Sequence, residues 1–367
     1  MKKFFSEYPI LATCLTSSII ILLVGAFVTS LIVYGVAKGV TSISKSIESN
    51  IPENAKNKAS YKYIAGNSAS TNKILAIPIA GIILTSENPY DPFSFLLTNV
   101  TYGYSVKTRL MKVANDPQVK GVVLEIDSPG GTITGAKAIS DGVEYFRQKT
   151  GNPVVAHISG LGASGAYWVS ASSNQIMADT GSLSGSIGVI IGPFKYYNKV
   201  LSESTLTGSV TTEKGIESLN ITAGTDKDFD DPYKKLSTSA QKILQAGIDN
   251  EYDIFVNYIS SNRKIPADKI RDEIGAMVYG NKQALELGLI DSVGNRQDAY
   301  LKSSELAKLN KDDFQVVTDE GIDFWSRLFK VVSPTKLYNK ATECPICGQM
   351  LFLFGNPEDY ILTRTKN

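Results

Sequence analysis

Residues 122–131 read VVLEIDSPGG, and residues 154–168 read VVAHISGLGASGAYW. Each stretch opens with a short run of mostly β-branched, apolar residues, the pattern of a strand buried on both faces of a parallel sheet. Each then breaks into a glycine-rich turn, where the backbone can bend sharply with no side chain in the way. A helix is expected after each turn, over about 135–148 after the first and starting at the second. Strands alternating with helices imply βαβ units and a mainly parallel sheet, so the fold class is α/β.

The flanks extend this pattern in both directions. Residues 74–84, ILAIPIAGIIL, read as a buried strand, and an amphipathic helix is expected near Val106–Asn115. Residues 174–222 add short strand-like pieces broken by Gly and Ser. One long helix is expected over 236–262, with shorter segments over 266–275 and 281–287. Beyond Val293 the pattern weakens. The expected organisation is an N-terminal segment 1–38, a flexible linker 39–73, a main domain 74–300 and a C-terminal appendage 301–367.

The linker expectation rests on composition: SKSIESNIPENAKNKASYKYIAGNSASTNK is rich in Ser, Asn and Lys and can bury little surface. The segment before it is different. No charged residue occurs between Glu7 and Lys38, and no polar face appears. A bilayer core needs about 20 apolar residues in a helix, whereas a cleavable leader has a shorter apolar region. Residues 9–37 are therefore expected to be an uncleaved single-pass membrane anchor, with late cleavage as the weaker alternative. Lys2 and Lys3 on one flank oppose Lys38 and Lys45 on the other, so charge alone does not orient it.

Composition excludes some classes of function. Lys plus Arg (37) nearly equals Asp plus Glu (36), with no basic stripe, so nucleic acid is not an expected partner. Of three cysteines, Cys14 lies in the expected anchor, so no disulfide framework holds the body together. Cys344-Pro345-Ile346-Cys347-Gly348 has the form of one zinc knuckle, but a structural zinc site takes four ligands and no second knuckle is present. No bound metal and no cofactor are expected.

The chain has one histidine, His157. A Ser-His-Asp or Cys-His site would have to use it. It falls in mid-strand within VVAHIS, where a histidine is more often a satisfied sheet residue than a catalyst. A hydrolase built on this chain is thus expected to use another base, and lysine is the usual substitute. The turn at Gly130 and Gly131 can present backbone N–H groups outward, as an oxyanion hole requires. Ser164, between Ala163 and Gly165, falls where a strand gives way to a helix. Either turn alone would pass for an ordinary tight turn.

The ordered set is more specific than its parts. DSPGG (127–131), GASGAYW (162–168), GSLSGSIGV (181–189), TAGTDKD (222–228) and VYGNKQALELGLIDSVG (278–294) together resemble the signal peptide peptidase A, or protease IV, family. That family is a branch of the ClpP/crotonase superfamily, and the resemblance runs from about Ile74 to Val293. It implies a ClpP/crotonase-like domain with Ser164 as nucleophile, Lys227 as general base and Ser186 bonded to that base. It also implies an oxyanion hole at Gly131, with the N–H of Gly165 as the second donor. A single copy of the domain resembles the short form of the family, which implies a ring-like homo-oligomer whose sites are shared between subunits. The implied activity is hydrolysis of signal peptide remnants or other membrane-released peptides, at the bilayer, with an extracytoplasmic domain.

Chemistry constrains the proposed base. A lysine titrates near 10.4 in water, and bringing it towards 7 needs about 4 kcal/mol of preference for the neutral form. Burial can supply that, provided Asp226 and Asp228 face away, as neighbours do in an extended segment. A solvated surface lysine is the competing reading. Residues 205–220, TLTGSVTTEKGIESLN, lengthen the interval between Ser164 and Lys227 and are expected to form a β-hairpin insertion. Three other classes are a crotonase-like acyl-CoA enzyme, which would not need the Ser–Lys pair, a non-catalytic membrane scaffold, which would tolerate its loss, and a protease that processes one partner protein, such as a phage capsid protein, which fits the pair but not the anchor.

Overall fold

A computed structural model describes residues 61–87, 99–192, 203–204, 209–210, 235–319 and 351–353. The expected anchor, Lys227 and the cysteine knuckle lie outside these residues. The described ones all belong to a compact unit of residues 59–320 and 339–367. Among them, no helix is long and apolar enough to cross a membrane.

The chain order is β1 (Tyr61–Gly66), β2 (Lys73–Ala80), β3 (Ile82–Leu84), β4 (Val100–Tyr102), α1 (Gly103–Val113), β5 (Val119–Ser128), β6 (Gly130–Thr132), α2 (Ile133–Thr150), β7 (Val154–Ala163), α3 (Gly165–Ala171), β8 (Gln175–Ala178) and β9 (Leu183–Gly185). It continues with β10 (Glu203–Ser204), β11 (Ser209–Val210), α4 (Thr238–Arg263), α5 (Ala267–Lys269) running into a π-helical turn (Ile270–Ile274), β12 (Val278–Gly280), α6 (Asn281–Glu286), β13 (Ser292–Val293), α7 (Arg296–Leu306), β14 (Gln315–Asp319) and β15 (Leu351–Leu353).

The main sheet runs β1-β14-β2-β5-β7-β8-β13. From β14 to β13 every pair is parallel, and β1 closes one edge antiparallel to β14. The end of β7 also pairs with β9, which pairs with β12. Alternation along the strands sends side chains to two cores. Leu75, Ile77, Val122, Leu124, Val154 and Ala156 face one core, together with residues of α1 to α4. Ile74, Ala76, Val123, Val155 and Met177 face the other, against Ala299 and Tyr300 of α7 and Phe314. The period of two expected of strands is thus present, with both faces apolar because both are covered.

Several ends are fixed by their own residues. Thr132 caps α2, its hydroxyl accepting from the Gly135 N–H at 3.2 Å, and Gly151 ends that helix in the left-handed conformation. Asn295 and Asp298 form a capping box at the start of α7. The run 74–84, read as one strand, is two: Gly81 sits at φ +63° and turns the chain. A Cβ there would stand 1.6 Å from the Asn99 carbonyl, so β3 can leave β2 only at a glycine.

The described elements depart from the expected boundaries at both ends. Tyr61–Gly66, within the stretch expected as linker, is a strand, and Gln315–Asp319, within the expected appendage, separates it from β2. Short polar flanks hid both strands, because each finds its partner only across the length of the chain. β10, just before the expected hairpin insertion, pairs antiparallel with β11, within it, through Glu203↔Val210 and Ser204↔Ser209, and the rest of residues 205–220 lies outside the described residues.

Candidate active site

The parallel pairing of β5 with β7 extends past the last regular pair to Ser128↔Gly162. That register puts the DSPGG turn beside the GLGAS turn at the same end of the sheet. Ligand sites of parallel α/β sheets characteristically lie beyond the carboxyl ends of the strands. The two turns are also tied to each other. The Asp127 carboxylate accepts the Leu161 N–H at 3.0 Å, and a Cβ on Gly160 would stand 2.6 Å from the same carboxylate. Asp127 thus positions the second turn, a role not assigned to it from the sequence, although its place at the head of DSPGG was the available signal.

Ser164 follows β7 directly and is the N-cap of α3. Its backbone is at φ 54°, ψ −119°, a conformation that a residue with a side chain seldom adopts. Such a residue costs roughly 1–3 kcal/mol and persists where its surroundings over-determine it. Those surroundings are evident: the Ser164 N–H donates to the Gly185 carbonyl at 2.8 Å, and the Trp168 N–H donates to the Ser164 carbonyl at 2.9 Å. The Ser164 hydroxyl approaches the Gly188 carbonyl at 3.5 Å, and the residue has no exposed surface. Gly165 opens α3, so its N–H belongs to the first helical turn, where backbone donors have no partner within the helix.

The third motif arrives through β9. Pairing of Ala163 with Gly185 brings Ser186 next to the turn at Ser164. Ser186 is buried at φ 56°, and its N–H donates to the Met277 carbonyl at 2.6 Å. The pairing of β9 with β12 therefore holds both the GSIGV motif and VYGN, and Asn281 adds a bond to the Asp179 carbonyl at 2.7 Å.

Gly131 lies on β6, which is wedged against β3. A Cβ on Gly131 would stand 1.9 Å from the Ile83 carbonyl oxygen. Only glycine lets the two strands lie so close. Helix α3 packs against β6 as well, so Ser164, Gly165, Gly131 and Ser186 come from elements in contact. Four of the five expected site residues are thereby gathered, and the fifth, Lys227, falls outside the described residues.

His157 occupies mid-strand, between Glu125 on β5 and Met177 on β8. It is fully buried and donates from Nε2 to the Gly294 carbonyl at 3.2 Å, on the face covered by α7. Burial pushes its pKa down from the usual imidazole value, and the bond to Gly294 offsets part of that. It therefore sits as a neutral sheet residue, engaged away from Ser164. Among the described residues, no cluster of three or more metal-binding side chains occurs.

The model of peptidase family S49 matches residues 146–310, which takes in Ser164, Ser186 and Lys227 and leaves Gly131 outside. The chain is 32% identical over 198 residues to a provisionally named protease of Methanocaldococcus jannaschii, covering 54% of this chain and 60% of the relative. It is 30% identical over 238 residues to a provisionally named signal peptide peptidase of Enterococcus faecium, covering 63% of this chain and 62% of the relative. The chain thus spans about three fifths of the length of these relatives. A solved membrane-bound stomatin-specific protease aligns at 18% identity with a TM-score of 0.37, covering 70% of this chain and 98% of that one, a likeness too slight to argue from.

Proposed function

We propose, on the premise that the chain belongs to peptidase family S49, that it is a membrane-anchored serine endopeptidase working through a Ser164–Lys227 dyad. The observation that carries the reading is the strained turn at Ser164, held between the DSPGG strand end and the Gly185–Ser186 corner. Strain of this kind at a serine set between Ala163 and Gly165 presents its hydroxyl at a fixed point, as strand-to-helix nucleophile turns do.

In the proposed reaction Lys227, uncharged, takes the Ser164 proton as the hydroxyl oxygen attacks a peptide carbonyl. The N–H groups of Gly131 and Gly165 hold the oxyanion, and a removed donor of this type typically costs 10²–10³ in kcat. The protonated lysine then gives its proton to the leaving amine, and water attacks the acyl-enzyme by the same route in reverse. Ser186, buried one residue beyond the carbonyl that holds the Ser164 N–H, would orient the lysine. His157, buried in mid-strand with its Nε2 held by the Gly294 carbonyl, supports a base other than imidazole.

The anchor over residues 9–37 would deliver peptides released into or near the bilayer, signal peptide remnants among them, and a relative carrying the signal peptide peptidase name is consistent with that class. The domain would lie on the extracytoplasmic side as a homo-oligomer with shared sites. Full-length protein should resist carbonate extraction from membranes, and free solubility would remove the anchor from the proposal.

The decisive experiment is labelling with a serine-directed fluorophosphonate, followed by mapping of the modified residue, alongside turnover of an apolar reporter peptide. Ser164→Ala and Lys227→Ala should each abolish turnover in a folded protein. Because the pair acts as a unit, the double variant should be hardly worse than either one. Label on a serine other than Ser164, or an active Lys227→Ala beside a dead, folded His157→Gln, would refute the dyad.

A further inference from the structure

Helix α3 is short, and all seven of its residues are buried. Burial of apolar side chains resists its withdrawal from the core but is non-directional, so it does not by itself fix how far the helix reaches along its axis. A side-chain cap does not fix it either, because the Ser164 hydroxyl makes no capping bond. Ser170 and Ser172 return their hydroxyls to carbonyls of the same helix, Ala166 at 2.8 Å and Val169 at 2.6 Å. Tyr167 reaches outward instead. It is fully buried, and its hydroxyl donates to the Leu289 carbonyl at 2.8 Å.

The turn that receives this bond is itself clamped. The Arg263 guanidinium donates to the Gly288 carbonyl from Nε at 3.2 Å and from Nη2 at 3.0 Å, and the same fork holds the Asp291 carboxylate. Asp291 in turn accepts the Ile176 N–H at 2.7 Å, and its own N–H donates to the Ile176 carbonyl at 2.8 Å. Ile176 lies on β8, which pairs with β7, and β7 ends one residue before Ser164. A closed circuit of directional bonds thus runs from the strand before Ser164, through β8, the 288–291 turn and Tyr167, to the helix after it. Burial holds the Tyr167 phenol protonated, far above its usual range, so the tie keeps one form at any pH at which a lysine base would work.

We infer that Tyr167 is a positioning residue for the serine turn: its hydroxyl fixes the reach of α3, and with it the place of the Ser164 hydroxyl and of the Gly165 N–H. The inference rests on the peptidase reading for its catalytic consequence and on the Tyr167–Leu289 bond for its existence. Tyr167 stands three residues beyond Ser164, less than one helical turn away, so a shift at its hydroxyl reaches the turn with little damping. A strained backbone such as that of Ser164 stays in place only while its surroundings over-determine it. Without the tie the helix settles along its axis, and a misplacement of about 1 Å costs on the order of 10²-fold in rate. The loss falls on kcat rather than on KM, because the displaced groups are the reacting ones.

The test compares Tyr167→Phe, which removes the hydroxyl and keeps the ring, with Ser170→Ala, which removes a buried hydroxyl from the same helix without touching the circuit. Three readouts are taken on full-length protein. The first is amide hydrogen exchange at Trp168, whose bond to the Ser164 carbonyl closes the first turn and which needs no activity. The others are the rate of fluorophosphonate labelling at Ser164, and kcat and KM on an apolar reporter peptide. Tyr167→Phe is expected to speed Trp168 exchange and to lower kcat and the labelling rate about tenfold or more, with KM within about twofold. Ser170→Ala is expected to leave kcat and the labelling rate within about twofold of wild type. Arg263→Lys keeps the charge but loses the fork, and should move the readouts in the same direction as Tyr167→Phe. Unaltered Trp168 exchange in both Tyr167→Phe and Arg263→Lys would overturn the tie. Faster exchange with kcat unchanged would overturn the positioning role, as would an equal loss of kcat in Ser170→Ala. Faster exchange in Tyr167→Phe, beside a wild type that neither takes the label nor hydrolyses peptide, would uphold the tie and remove the peptidase reading instead, so the two failures are separable.

Discussion

Replacing Gly131 by alanine tests the β6 geometry where it is tightest. The added Cβ would fall 1.9 Å from the Ile83 carbonyl oxygen, with the Ile83 carbonyl carbon and nitrogen both at 2.7 Å. Carbon atoms at rest keep about 3.5 Å from such neighbours, so β6 must retreat by roughly 1 Å or more. The obstacle is backbone, which cannot swing aside as a side-chain tip would. A displacement of that size in a reacting geometry costs on the order of 10²-fold, and loss of an oxyanion donor costs 10²–10³-fold. The expected result is therefore a fall in kcat of at least about 10², with overpacking costing about 1–3 kcal/mol of stability. Gly151→Ala is the matched control, since Gly151 also has positive φ (+70°) but nothing lies within 4 Å of its added Cβ. It should cost about 1 kcal/mol through backbone strain alone and leave kcat unchanged. Peptide turnover and thermal unfolding, measured on the same preparations, read both effects. A folded Gly131→Ala retaining kcat within about twofold of wild type would refute the reasoning, as would an equal loss in Gly151→Ala.

Arg263 holds Asp291 through two bonds, at 2.7 and 3.0 Å, and its side chain is only 8% exposed. Arg263→Ala should destabilise by about 3 kcal/mol, because it leaves a carboxylate without its cation, and a loss under 1 kcal/mol in denaturant titration would contradict that. His157 is buried with its pKa depressed, so the unfolded chain binds its proton more readily than the folded one. Stability from this group is complete above about pH 6.5 and is lost as pH falls towards the folded value, at up to about 1.4 kcal/mol per pH unit. His157→Gln should flatten that slope while keeping substantial turnover, and an unchanged slope would show the ring to be exposed to protons in the fold. If sites are shared between subunits, mixing Ser164→Ala with Lys227→Ala protein under exchange conditions should restore part of the activity. No recovery from well-mixed oligomers would place both residues in one chain.

The strands that carry the site were legible because their burial on both faces left uninterrupted apolar runs before a glycine turn, as at Val122–Ile126 and Val154–Ile158. The role of His157 followed from its place within such a run. The juxtaposition of Ser128 with Gly162 was not legible from either motif alone, since register is set by pairing across the sheet rather than by local composition. The strands at Tyr61, Gln315 and Leu351 escaped for a related reason. Each is short and bordered by residues typical of loops, and what makes it a strand is a partner hundreds of residues away or in another layer. Asp127 is the intermediate case, readable as part of a motif but not as the clamp on Leu161.

The insertion of Gln315–Asp319 between β1 and β2 imposes an order of events on the growing chain. Among the described residues β1 has a single partner in the sheet, and that partner is synthesised some 250 residues after it. Until it emerges, the outer edge of β2 lies open and β1 has nowhere to dock. Such distant pairings are slow to form and expose unpaired strands in the meantime. The rest of the sheet can assemble as it leaves the ribosome, but its far edge must wait for nearly the whole chain. A nascent or truncated chain stopping before residue 315 should therefore carry two unsatisfied strands and depend on chaperone protection that the finished molecule no longer needs.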